Sequence, residues 1–92
     1  MAYSRIVNVE YKSEKDMELF LSEWKDWMPK HMPVATSRTM VKTGPSSSLL
    51  MAVYASSQVA EKAREVVQVF FDENRDHILD IIAFHGEVLE LD

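Results

Sequence analysis

Residues 44–57, GPSSSLLMAVYASS, carry the local signals that decide the fold of this chain. Gly, Pro and Ser favour tight turns, so residues 44–47 predict a hairpin connection. Residues 49–55 then predict a strand, and Ser57 is a good N-cap for a helix that follows directly. Strand, turn and helix signals this close together predict a layered α+β fold.

The predicted strand is apolar on both faces, since residues 49–54 read LLMAVY. A strand with one covered face alternates apolar and polar side chains, so something covers both faces here. Leaving the second apolar row in water would expose a patch that monomers avoid. A two-fold partner removes that patch, and we predict a homodimer. We expect Leu50→Lys or Ala52→Glu, whichever position faces the partner, to dissociate or unfold the protein.

Upstream of this stretch the hydrophobic period changes twice. Residues 3–12 alternate as a strand. Ser13 is predicted to cap a helix with apolar residues at three- and four-residue steps, and Pro29 is predicted to end it. Residues 34–43 alternate with polar positions and predict an edge strand.

Downstream, an amphipathic helix is predicted from its cap at Ser57 as far as Phe70. Residues 75–82 carry isoleucines at a helical spacing and predict a short additional helix, and residues 84–91 predict the last strand. The order is therefore βαββαβ, a four-stranded antiparallel sheet with helices on one face. We expect residues 1–92 to form a single domain of this kind.

Composition narrows the possible functions. The chain has no Cys, which excludes disulfides and thiolate metal sites. Its net charge of −5 is uneven: residues 47–92 hold three Lys and Arg against nine Asp and Glu. Such an acidic half would repel phosphate backbones, so nucleic acid is not an expected partner. No signal peptide or membrane-spanning stretch is apparent, so we expect a cytoplasmic protein without membrane contact.

The βαββαβ order resembles the ferredoxin-like fold and, more narrowly, the dimeric α/β-barrel superfamily. The resemblance covers the whole chain but includes no diagnostic motif. It implies that two sheets pack through their helix-free faces and close a barrel. It also implies a cleft, inside the barrel or between sheet and helices, where a small organic molecule can sit. Members include cofactor-independent oxygenases of polyketide-like substrates, haem-degrading enzymes and isomerases.

His31, His85 and Glu10 are the candidates for catalysis. Histidine titrates near neutral pH and suits proton transfer. His31 alternatively serves only as a cation near a helix C-terminus, and His85 points either to the barrel or to the helices. Glu10 would need a partner such as Arg38 if the barrel buries it, or it lies in water at the rim.

Seven residues are predicted to bind a ligand, because an apolar space with a few polar groups is typical of small-molecule sites. They are Asn8, Glu10, Trp24, Trp27, His31, Arg38 and Tyr54. Aromatic and Met side chains at helical spacing otherwise form plain core. The acidic residues between Asp72 and Asp80 match neither a zinc nor a calcium spacing, so no metal site is predicted.

Two functions of different classes follow from these observations. The first is a homodimer that holds an apolar or amphipathic organic ligand, such as an acyl chain or a polyketide-like ring. Such a protein would act as a cofactor-independent oxygenase or isomerase if the substrate stabilises its own carbanion, and no cofactor is expected. The alternative is a non-catalytic dimerisation module with a barrel filled by Ile6, Leu50 and Tyr54. A haem-degrading role would require His31 or His85 to ligate iron.

Overall fold

A computed structural model describes residues 1–91 of the chain. Its elements are β1 (Tyr3–Tyr11), α1 (Glu14–His31), β2 (Ser37–Gly44), β3 (Ser47–Tyr54), α2 (Ser57–Glu73), a 3-10 turn (Arg75–His77) and β4 (Ile78–Glu87). The strands form one antiparallel sheet in the order β2-β3-β1-β4. The predicted βαββαβ order, the α+β class and the edge position of β2 are confirmed.

The core lies between one face of the sheet and the two helices. Phe20 is its centre: its ring centroid lies 5.1 Å from those of Tyr11 and Phe70 and 5.9 Å from that of Phe71. Alternate residues of β1 and β3 supply the floor, and every third or fourth residue of the helices supplies the roof. Neither helix within residues 1–91 has the length and apolar character needed to cross a membrane.

Serine side chains begin both helices. The Asp16 N–H donates to Ser13 Oγ at 3.0 Å, as predicted for the first helix. The predicted cap of the second helix is wrong by one residue. Ser56 caps α2 by accepting from the Val59 N–H at 3.3 Å, and Ser57 is already helical.

The prediction that Pro29 ends the first helix is wrong, because α1 continues to His31. Proline has no N–H, and its ring crowds the carbonyl four residues earlier, so it weakens a helix most where many turns follow it. Here the helix runs just two residues further, and Pro29 is exposed, so water can reach the backbone that it leaves unpaired. The Met32 N–H closes the helix by donating to the Met28 carbonyl at 3.0 Å.

The predicted helix at residues 75–82 is also wrong. Only Arg75–His77 forms a helical turn, and β4 begins at Ile78 and ends at Glu87, rather than spanning 84–91. Ile81 pairs with Val9 and Ile82 with Asn8 of β1. These long-range pairs give β-branched isoleucines a pleated surface on which they pack well.

The face of the sheet opposite the helices, which we call the open face, is apolar at its centre. Two neighbouring rows of side chains cross its four strands. The first row is Thr39, Met51, Ile6 and Phe84, and the second is Val41, Leu49, Asn8 and Ile82. Met51 is 45% exposed and Phe84 61% exposed. Leu50, Ala52 and Tyr54 are buried under the helices instead. A barrel filled by Leu50 and Tyr54 is therefore excluded, although Ile6 does lie on the open face.

An imidazole–carboxylate contact ties the 3-10 turn to the start of α1. His77 Nδ1 lies 2.8 Å from Asp16 Oδ1, and the Ser13 hydroxyl donates to Asp16 Oδ2 at 2.6 Å. The hydrogen bond with His77, and then that from Ser13, lowers the pKa of Asp16. Both contacts favour the charged carboxylate in the folded protein.

We expect the protein to lose stability in acid, because protonation of Asp16 removes this contact. The unfolded pKa of an Asp is about 3.9 and the folded pKa of Asp16 is lower, so its stabilisation is present above about pH 4. It is lost as the pH falls through the folded pKa. Asp16→Asn should lower the urea midpoint at neutral pH and flatten its decline in acid. Asp26→Asn, on the exposed side of the same helix, is the control. An unchanged pH profile in Asp16→Asn would contradict the assignment.

Candidate functional site

A cavity of about 400 Å³ opens between α1 and the β2–β3 hairpin. We call it the α1 cleft. Its size suits a small organic ligand. One wall is a face of α1, and the other is the helix-facing side of the hairpin: Leu21, Trp24, Lys25, Met28, Arg38, Met40, Lys42, Ser48 and Leu50.

The two walls follow from the periodicities of their elements. Residues 21, 24, 25 and 28 share one face of α1 because a helix repeats every 3.6 residues. Arg38, Met40 and Lys42 share one face of β2 because a strand alternates, and they pair with residues 52, 50 and 48 of β3. The cleft is therefore apolar at its centre and polar at both ends of the β2 wall.

Arg38 is the most unusual group in the α1 cleft. Its Nη2 donates to the Pro33 carbonyl at 2.9 Å and to the Tyr54 hydroxyl at 3.3 Å, and its Nη1 donates to the weak acceptor Met28 Sδ at 3.3 Å. The Nε atom is buried and has no hydrogen-bond partner among residues 1–91. Buried donors are nearly always paired. An incompletely satisfied guanidinium at an apolar cavity favours a ligand that brings an acceptor.

The floor of the cleft is a neutral hydroxyl pair. Ser48 is buried, and its Oγ lies 2.8 Å from the Tyr11 hydroxyl. Burial raises the pKa of Tyr11, against the opposing effect of the hydrogen bond with Ser48. The phenol therefore stays protonated at neutral pH and can hold a hydrogen bond but not abstract a proton.

The charged groups of the lining all carry the same sign. They are Lys25, Arg38 and Lys42, and none of the described lining residues is a carboxylate or an imidazole. Glu14 lies 3.9 Å from Lys42 Nζ, but both side chains are more than half exposed and solvent screens the pair. The α1 cleft thus combines an apolar centre with positive charge.

Of the residues predicted to bind a ligand, Trp24 and Arg38 line the α1 cleft, and Tyr54 touches it through Arg38. Trp27 and His31 lie elsewhere. Their rings stack with centroids 5.0 Å apart, and they line a shallow depression between α1 and α2. The helix that continues past Pro29 carries His31 to this outer surface, away from the sheet.

Asn8 and Glu10 lie on the open face, behind the sheet from the α1 cleft. Glu10 is exposed and lies opposite Asp80 in the register of β1 and β4. Arg38 points to the helices, so the predicted ion pair between Glu10 and Arg38 of one chain is wrong. His85 also lies on the helix side, where its Nδ1 is 2.9 Å from the Tyr3 hydroxyl. The structure therefore separates the three catalytic candidates from one another and from the cleft.

Sequence reasoning identified Arg38 and pointed to Met40 as a hint of an apolar pocket, but it missed the two lysines and Met28 of the cleft. Met28 and Lys42 were not singled out, although Lys42 follows Arg38 and Met40 at strand spacing and Met28 follows Trp24 at helix spacing. That shared spacing was the available signal. Within the described part of the chain, no group of three His, Asp or Glu side chains is arranged to hold a metal ion.

Solved structures show the same architecture, whereas no family model and no curated protein matches the sequence. A protein of unknown function from Nitrosomonas europaea aligns with TM-score 0.82 and 17% identity over 99% of this chain and 92% of its own. A dimeric ferredoxin-like protein from an uncultured marine organism aligns with TM-score 0.76 and 13% identity, over 99% and 90%. The chain has the ferredoxin-like fold.

A third similar structure has a stated activity. SnoaB, a cofactor-independent oxygenase from Streptomyces nogalater, aligns with TM-score 0.73 and 8% identity, over 98% of this chain and 95% of its own. The TM-score establishes the shared fold, and the low identity leaves activity to be argued from the cleft.

Proposed function

We propose that this protein is a homodimer whose α1 cleft binds an amphipathic organic anion, an acyl-chain or polyketide-like aromatic compound. The observation that carries the proposal is Arg38, which lines the 400 Å³ cavity and whose buried Nε has no partner among the described residues. A carboxylate, phenolate or enolate would supply the missing acceptor, and a charge-assisted hydrogen bond is stronger than a neutral one.

The apolar walls select the body of the ligand. Trp24, Met28 and Met40 form them, and methionine's flexible thioether adapts to irregular or aromatic shapes. Lys25 and Lys42 add positive charge near the mouth, where both side chains are exposed. The α1 cleft therefore favours a flat or elongated apolar molecule with its anionic end at Arg38.

Cofactor-independent oxygenation is the reaction class that this arrangement supports. Such a reaction needs a substrate whose own carbanion or enolate passes electrons to O₂. A cationic cleft favours the ionised substrate, because an opposite charge within a few ångströms lowers the pKa of an acid. The likeness to SnoaB agrees with this class. The protein's part would be to bind the ionised substrate and exclude water from it.

Paired ligands that differ only in charge test the site. We expect isothermal titration calorimetry to show that naphthoate binds more tightly than the isosteric, uncharged naphthamide. Arg38→Gln should weaken naphthoate binding by about tenfold or more, because hydrogen bonds to charged groups contribute roughly 1.5–3 kcal/mol. It should change naphthamide binding much less.

Arg75→Gln is the matched control, since Arg75 is exposed and pairs with Asp72 away from the cleft. It should bind naphthoate like the wild type. Equal affinity for both ligands, or undiminished naphthoate binding in Arg38→Gln, would reject the anion site. Failure of any apolar ligand to bind would instead favour the non-catalytic dimerisation module.

A further inference from the structure

A second cavity, of about 380 Å³, lies at the other end of the helix layer, between the first two turns of α2 and the β1–β4 pair. We call it the α2 cleft. It shares no residue with the α1 cleft, and the proposed function does not use it. Most of its lining residues carry a polar group, and two of them are arginines: Tyr3, Arg5, Ser57, Gln58, Ala60, Glu61, Arg64 and His85.

Two guanidinium groups face one carboxylate in this cleft. Arg64 donates to Glu61 Oε1 through Nε at 3.0 Å and also through Nη2. Arg5 is paired in the sheet through its backbone, but its side chain has neither a hydrogen bond nor an ion pair among residues 1–91. Burial, and then the positive charge of Arg64, lowers the pKa of Arg5. The charge of Glu61 acts on Arg5 in the opposite sense, but this one carboxylate is shared with Arg64. An anion in the cleft would add to the compensation of the partly buried Arg5.

Neutral donors surround the same space. The Tyr3 hydroxyl lies 2.9 Å from His85 Nδ1, and the two rings stack with centroids 6.0 Å apart. The Tyr3 hydroxyl engages one ring nitrogen of His85, so the other, Nε2, is left to contact a ligand. Ser57 and Gln58 belong to the first turn of the 17-residue α2, where the helix dipole is positive.

We propose that the α2 cleft is a second binding site, for a small phosphate monoester whose phosphate pairs with Arg5. Guanidinium groups match the geometry of phosphate oxygens, and a helix N-terminus favours a dianion. The cavity is larger than a phosphate group, so Gln58 and His85 are left to contact an organic substituent. The acidic balance of the whole chain does not oppose this site, because Glu61 is the one carboxylate among the residues that line it.

Titrations of ¹⁵N-labelled protein with glycerol phosphate and with inorganic phosphate, at constant ionic strength, test the site. We expect saturable binding at millimolar concentration or tighter, with the largest amide shifts at Ser57, Gln58 and His85. Arg5→Gln should weaken it by about tenfold or more, the usual effect of removing one charged hydrogen-bonding group. Arg64→Gln, at a more exposed position, should act in the same direction and covers the case in which Arg5→Gln does not fold.

Arg75→Gln should bind like the wild type. Tighter binding of glycerol phosphate than of inorganic phosphate would identify a monoester site. Equal affinities would identify a site for the ion alone and would overturn the assignment of a monoester ligand. Absence of saturation, or an equal loss in Arg75→Gln, overturns the site altogether. Arg38→Gln should leave phosphate binding unchanged, and Arg5→Gln should leave naphthoate binding unchanged. The two proposed sites are therefore tested independently.

Discussion

Replacing Phe84 with aspartate is expected to convert the protein from a dimer into a monomer of 10.6 kDa. Phe84 lies beside Ile6 in the central row of the open face and is 61% exposed in the single chain. A partner sheet would bury it in both subunits, and full burial of one such side chain is worth about 1.5–3 kcal/mol. Phe84→Asp removes one buried phenylalanine from each subunit and buries a carboxylate in its place. The dissociation constant of the dimer should therefore rise by at least about a hundredfold.

Light scattering coupled to gel filtration at micromolar concentration measures this change. The wild type should elute with twice the chain mass and Phe84→Asp with the chain mass, both with the same circular dichroism spectrum. Leu19→Asp is the control, because Leu19 is 44% exposed on α1, on the opposite side of the molecule from the open face. A monomeric wild type, or a Phe84→Asp variant that keeps the double mass, would falsify the dimer.

The architecture could be predicted because its signals are local. The strand alternation of β1, the Ser13 cap and the turn at residues 44–47 each depend on neighbouring residues. Chain order then leaves few topologies for a short α+β chain. The prediction that both faces of β3 are covered also depends on local sequence alone, because residues 49–54, LLMAVY, have no polar face.

The face assignment of β3 was not predictable, because both of its faces are apolar. The register with β1 and β2 decides it, and a shift of one residue would exchange the faces. Leu50 and Ala52 lie under the helices, so Leu50→Lys and Ala52→Glu disturb the core of each subunit. They would unfold the chain rather than separate two folded ones. Met51 and Phe84 are the positions that test dimerisation without that ambiguity.

Residues 78–82 show a different limit of sequence reasoning. A short run with isoleucines at 78, 81 and 82 satisfies a helical spacing as well as it satisfies a strand. Pairing with β1, about seventy residues earlier in the chain, decides between them. Long-range contacts of this kind leave no mark on the local pattern.

The α1 cleft was only half visible in the sequence. Trp24 and Arg38 were identified by residue type, but their neighbours in space come from two elements whose juxtaposition depends on the sheet register. His31 and Glu10 looked equally suitable by chemistry. The structure places His31 on the outer helix surface and Glu10 behind the sheet. The positions at which titratable groups converge are a property of packing, so residue type alone overestimates the number of candidates.

Phe20→Ala is expected to lower the free energy of unfolding by about 3–5 kcal/mol, the range for truncating a buried phenylalanine. Phe20 is 1% exposed, and its ring lies between those of Tyr11, Phe70 and Phe71. Small domains have a total stability of about 5–15 kcal/mol, so the loss is a large fraction of it. Urea unfolding followed by tryptophan fluorescence, at two protein concentrations to separate dissociation from unfolding, measures the change.

Leu19→Ala provides the matched control for Phe20→Ala, because the adjacent side chain on the same helix is 44% exposed. It should lose less than about 1 kcal/mol, since surface substitutions have small effects. The core truncation should also weaken naphthoate binding. Trp24, one turn further along α1, packs against Phe70, which also contacts Phe20, and Trp24 forms a wall of the α1 cleft. Equal losses of stability in the two variants would show that Phe20 is not the centre of the core. If Phe20→Ala lowers the stability but leaves the naphthoate affinity unchanged, the shape of the cleft depends on α1 and the hairpin alone.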